Sequence, residues 1–91
     1  MAKYLAIPHL NEDIELEQDD DIFYLYHRFS NKAIRLENQV AVDIVKGIDS
    51  VNSIDDIIEM MMHKYQVSVS ELEGDVNELL SFLQKEDFVG Y

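Results

Sequence analysis

Ala33-Ile-Arg-Leu-Glu-Asn38-Gln-Val-Ala-Val-Asp-Ile-Val-Lys46 begins as a strand and ends as a helix. Ile34 and Leu36 alternate with Arg35 and Glu37, the period of two expected of a half-buried strand. Asn38 interrupts that alternation with a side chain suited to cap a helix. Val40, Ile44 and Val45 then recur at helical spacing on one face. A strand that feeds a helix through a single capping residue places a sheet edge beside a helical layer. That edge is the expected working part of the molecule.

Upstream, the pattern is all strand. Ile14–Glu17 alternates apolar and acidic residues, and Asp19-Asp20-Asp21 follows as a turn. The triple Asp lacks the glycine, the spacing and the closing Glu of an EF-hand calcium loop. Ile22–Phe29, rich in aromatic and branched residues, is the strongest strand signal. Ser30-Asn31-Lys32 supplies turn chemistry, with Asn tolerant of positive φ. Residues 1–13 are weakly patterned, and Pro8 bars a helix interior, so they form an arm or an edge strand.

Downstream, the pattern is helical. The first helix runs to Lys46 and stops at Gly47. Ser53 caps a second, with Asp55 and Asp56 in its first turn and an apolar face of Ile54, Ile57, Ile58, Met61 and Tyr65. Met60-Met61-Met62 reads as pliable core. Val67-Ser68-Val69 is an extended link, and Ser70-Glu71-Leu72-Glu73 is a capping box for a third helix. Its stripe is Leu72, Val76, Leu79, Leu80 and Leu83, with Phe82 on a neighbouring face. Glu86-Asp87 ends it, and Phe88-Val89 packs back as a tail. The expected fold is one α+β domain spanning residues 1–91, winged-helix-like, a three-stranded antiparallel meander followed by three helices.

Bulk composition narrows the function. The 91 residues suffice for one core, and at 47% hydrophobic the chain should fold. It has no cysteine, which removes disulfides, thiolate metal sites and a cysteine nucleophile. No apolar run reaches the roughly 18 residues of a membrane span, and the N-terminus lacks a signal peptide's apolar stretch, so a cytoplasmic location is expected. Nineteen acids against 7 bases give a net charge of −12, which repels nucleic acid and suits basic partners. His9, His27 and His63 fall in three different elements without zinc spacing, and Gly47, Gly74 and Gly90 form no phosphate loop. Neither a catalytic residue nor a metal or other cofactor is expected. One alternative is an acyl or peptidyl carrier protein. Asp49-Ser50-Val51 before a helix resembles the Asp-Ser-Leu site of that family, with phosphopantetheine on Ser50. Carrier proteins are all-helical, however, where this chain reads as strands.

From Phe23 to Val89 the ordered pattern resembles the PqqD-like family, the RiPP recognition elements. A hydrophobic strand (Phe23–His27) is followed by Ile34-Arg35-Leu36-Glu37-Asn38, where the family has a strand ending in Leu-Asn. Glu37 here is inserted between Leu36 and Asn38 or takes the place of the Asn. Asp49-Ser50 stands where the family has Asp-Gly, and Ser53-Ile54-Asp55-Asp56-Ile57-Ile58 is similar to its Thr-Val-x-x-Ile. Tyr65-Gln66-Val67 replaces Tyr-Gly-Val, and Asp75-Val76, Leu79, Leu80, Leu83 and Phe88-Val89 close the pattern. The resemblance implies a non-catalytic module that binds the leader of a ribosomally made precursor peptide and presents it to a modifying enzyme, a radical SAM protein or a leader peptidase. In the family the leader adds as an antiparallel strand to the third strand and lies against the third helix.

An edge strand independently offers free N–H and C=O groups to an extended peptide. The expected contacts are Lys32, Ala33, Ile34, Arg35 and Leu36 on the strand, and Leu72, Asp75, Val76, Leu79 and Phe82 on the helix. Leu72, Val76 and Leu79 fit a core role equally well. Proline at Ile34 should remove a backbone donor from the edge. Open edges also permit a homodimer by strand exchange.

Overall fold

The computed structural model describes residues 5–91; the first four residues of the expected arm lie outside that range. Eight elements follow in order: β1 (His9–Leu10), β2 (Ile14–Asp19), β3 (Ile22–His27), β4 (Ala33–Leu36), α1 (Gln39–Lys46), α2 (Ile54–Lys64), α3 (Val69–Lys85) and β5 (Val89–Gly90). The antiparallel meander β2-β3-β4 is one sheet, and β1 with β5 is a two-stranded ribbon. The arm therefore contributes a strand, paired with the tail that follows α3. The α+β expectation of a meander followed by three helices holds.

The turns explain the strand limits. Asp20 at φ 55° and Asn31 at φ 59° turn the chain at the two hairpins, and both residue types tolerate this region. The second turn starts earlier than expected. The Ser30 N–H donates to His27 Nδ1, and the Asn31 N–H to the His27 carbonyl, so β3 ends at His27 and Arg28 and Phe29 belong to the turn. Asn38 caps α1 as expected, its Oδ1 accepting from the Ala41 N–H at 2.9 Å. Ser53 and Asp56 form a reciprocal capping box on α2. The cap of α3 is Ser68, not Ser70, and its Oγ accepts from the Glu71 N–H at 3.1 Å. Val69 is thus the first helical residue, not part of an extended link.

The core lies between the meander and the three helices. Leu25 from the sheet, Ile44 from α1, Ile57 from α2, and Val76, Leu80 and Leu83 from α3 meet in it. Of the three consecutive methionines only Met61 is buried. Gly47 ends α1 with φ −79°, which any residue adopts, so its role is space. A Cβ there would lie 3.2 Å from Ile57 Cγ1 and 3.3 Å from the Ile44 carbonyl oxygen.

Asp43 fastens α1 to α2. Its carboxylate, in a side chain only 10% exposed, accepts from Lys64 at 2.9 Å, from the Tyr65 hydroxyl, and from Gln39 at 3.0 Å. Burial alone would push this carboxyl up, but the bonds from Tyr65, Lys64 and Gln39 outweigh it and hold it below the ordinary range. A carboxyl depressed in the fold stabilises fully above its unfolded pKa of about 3.9 and loses that contribution as pH falls through the folded value. Urea midpoints are therefore expected to drop more steeply below about pH 4 in the natural chain than in Asp43→Asn. Parallel pH profiles would refute this role.

The segment between α1 and α2 carries the Ser50 position. Asp49 Oδ1 accepts from the Val51 and Asn52 N–H groups at 2.9 and 2.8 Å, and Ser50 sits at φ 66°. Left-handed backbone costs an L-residue roughly 1–2 kcal/mol, and glycine avoids most of it. Ser50→Gly is expected to stabilise the domain by about 0.5–1 kcal/mol, raising Tm by a few degrees in a calorimetric scan. A lower Tm would mean that the turn is not strained. The same turn removes the carrier reading: Ser53, not Ser50, opens α2, and the sheet occupies the chain where a carrier protein is helical.

Candidate functional site

Backbone parity on β4 decides what the edge can offer. In an antiparallel ladder, residues of a hydrogen-bonded pair turn both N–H and C=O to the partner, and the residues between them turn theirs away. The His27 N–H donates to the Lys32 carbonyl at 2.8 Å, so pairs 27–32, 25–34 and 23–36 face inward. Ala33 and Arg35 therefore direct their N–H and C=O groups to the opposite edge. The far side of the sheet is consistent with this. The Arg28 N–H donates to the Asp13 carbonyl at 3.0 Å, so the even-numbered residues of β3 serve β2 and the odd-numbered ones serve β4. Among the described residues β3 is the only ladder partner of β4, and its outer edge is open.

The same parity sorts the side chains. Ile34 is half-buried and Leu36 buried on the helix side, while Ala33 and Arg35 stand exposed on the outer face. Proline at Ile34 would thus break the inner ladder to Leu25 and would not remove an outward donor.

α3 runs alongside this edge in the opposite direction. Lys32, just before β4, forms an ion pair with Glu86 at the end of α3, and its ammonium sits 5.9 Å from the Phe88 ring centroid. Asn38, just after β4, lines an open groove of about 360 Å³ with Asp75, Glu78, Leu79 and Phe82 of α3. From Asp75 to Glu86 the helix advances about 16 Å at 1.5 Å per residue, and from Lys32 to Asn38 a strand spans about 20 Å. The opposite wall of the groove is Val40 and Ala41 of α1, with the core side chain of Ile44 behind them.

Of the expected contacts, the structure brings Asp75, Leu79 and Phe82 together in the groove, with Phe82 47% exposed. Leu72 and Val76 are 1% and 0% exposed, and with Leu36 they are core side chains that no ligand touches in this conformation. Lys32 is engaged by Glu86 and acts as a strut. Asn38, Val40, Ala41, Ile44 and Glu78 were not among the expected contacts. Val40 and Ile44 were legible only as an apolar stripe, since periodicity does not tell a covered face from an open one. Among the described residues no group of three or more His, Asp or Glu is arranged to hold a metal, and no helix is long and apolar enough to cross a membrane.

β2 also has an open edge, but a poorer one. Its outward groups fall at Ile14, Leu16 and Gln18, and the Ile14 N–H is already given to the Asn11 carbonyl at 3.0 Å. Glu15 and Glu17 line that strand, the charge pattern that discourages strand addition.

A meander packed on three helices, with the β4 edge beside a groove of mixed apolar and acidic lining, is a frame that recurs in solved proteins. TbiB1, solved in complex with the TbiA(beta) leader peptide, shares the fold with a TM-score of 0.79 at 19% identity, over 91% of this chain and 96% of that one. A lasso peptide synthetase B1 complexed with the leader peptide gives a TM-score of 0.79 at 22% identity, over 94% and 100%. The family model described as coenzyme PQQ synthesis protein D (PqqD) matches residues 25–89, and the chain belongs to this family. No curated protein matches it in sequence.

Proposed function

We propose that this domain binds the leader segment of a ribosomally synthesised precursor peptide as an added antiparallel strand on β4. It acts without chemistry of its own and presents the peptide to a modifying enzyme, a radical SAM protein or a leader peptidase. The observation that carries this reading is the open edge of β4, where Ala33 and Arg35 turn their N–H and C=O groups away from β3 and the chain leads on through Asn38 into the wall of the α1–α3 groove. Main-chain bonds to the edge give affinity, and the groove beside it selects side chains. Family membership supports the reading, as do the two relatives of the same fold that were solved with leader peptides. A synthetic cognate leader peptide, titrated into isotopically labelled protein, is expected to bind with micromolar or tighter affinity. Amide shifts should concentrate at residues 33–37 and 75–82. Binding that leaves those amides unmoved would overturn the site.

A further inference from the structure

The edge and its two faces specify more than the addition of a strand. We infer that β4 selects a segment with opposite charges on its two faces. An acidic side chain lies across from Arg35, and a basic one, at an odd residue separation from it, faces Asp75 and Glu78. This rests on strand addition at β4 and deepens it into a sequence preference.

Residues directly opposite each other in an antiparallel ladder point to the same face of the sheet. A peptide residue across from Arg35 therefore stands on the outer face, next to a guanidinium. That side chain is 61% exposed, and its one ion-pair contact among the described residues is Glu37 at a loose 3.9 Å. The other cation at this edge, Lys32, is already held by Glu86. The peptide residues on either side point to the opposite face, toward the groove. There Asp75 and Glu78 line the wall, and neither meets a cation among the described residues.

Leu79, Phe82 and Val40 of the same groove are apolar and can cover the methylene stem of a Lys or Arg while its head reaches the two carboxylates. Side chains alternate along a strand, so the acid and the base fall one, three or five residues apart, never two or four. The net charge of −12 cannot produce this pattern. Bulk charge would favour bases at every position and disfavour the acid.

Random short peptides displayed on phage and selected on the intact chain test this. Enriched sequences are expected to share an acid and a base at odd separation. Selection on Arg35→Glu should exchange the acid for a base, and selection on Asp75→Lys with Glu78→Lys should exchange the base for an acid. Each mismatched pairing of peptide and protein should weaken binding about two- to fivefold, as exposed ion pairs do. Enriched peptides that shift the amides of residues 33–37 without this spacing would overturn the charge preference and leave strand addition standing. If no enriched peptide shifts those amides, both fall.

Discussion

Arg35→Pro is expected to leave the domain folded and to weaken leader binding about thirtyfold or more. The Arg35 N–H points away from β3, so proline there removes no bond from the meander. It removes the central outward donor and leaves a peptide carbonyl without a partner. The lost bond and the unsatisfied acceptor together cost about 2 kcal/mol. Ile34→Pro is the contrasting variant. Its N–H belongs to the inner ladder with Leu25, so proline there should unfold the sheet. Arg35→Ala separates side chain from backbone and should weaken binding only a fewfold. Calorimetric titration with the leader, paired with a circular dichroism melt, checks all three. An Arg35→Pro protein that melts normally and binds as tightly as the natural chain would exclude strand addition at β4.

The contrast between those two prolines shows where sequence reading stops. Alternation in Ala33–Leu36 revealed a strand with Ile34 and Leu36 inward, but not which amides face the ladder. That parity depends on the register against β3, fixed by the turn at Ser30–Lys32 and its bond to His27. Local signals with a single answer were legible, as at the Asn38 cap and the Ser53–Asp56 box. The start of α3 offered two answers. Ser68-x-x-Glu71 and Ser70-x-x-Glu73 both fit a capping box, and only the packed helix distinguishes them. The groove was half legible. Asp75 and Phe82 stood out because they interrupt or flank an apolar stripe. Val40 did not, because it lies on a stripe whose far end is covered and whose near end is open. The pairing of His9–Leu10 with Val89–Gly90 joins two-residue strands from opposite ends of the chain, too short to carry a period.

That terminal pairing surrounds the residue whose loss should hurt stability most. Phe88→Ala is expected to destabilise the domain by about 3–5 kcal/mol, a large share of the roughly 5–15 kcal/mol typical of a small fold. The Phe88 ring is fully buried, with His27 of β3 at 6.4 Å between centroids and the Lys32 ammonium above it. Its backbone is held on both sides. The Phe88 N–H donates to the Leu83 carbonyl at 2.8 Å, and the Asn11 N–H donates to the Phe88 carbonyl at 3.0 Å. Asn11 also bonds the Asp87 carbonyl through its side chain at 2.5 Å, where Asp87 turns the chain at φ 64°. With the backbone anchored, the structure cannot collapse into the space the ring leaves, which places the cost at the upper end for a cavity. Phe88→Leu keeps most of the volume and should cost less than about 2 kcal/mol. Urea midpoints of the two variants measure the difference, and a Phe88→Ala loss below about 1 kcal/mol would refute the packing argument. Binding should fall as well, although Phe88 lines no part of the groove. The ring is the surface on which Lys32 rests while it pairs with Glu86, so its loss is expected to loosen β4 from the end of α3. A leader that needs the edge and the helix together therefore reports on a residue it never touches.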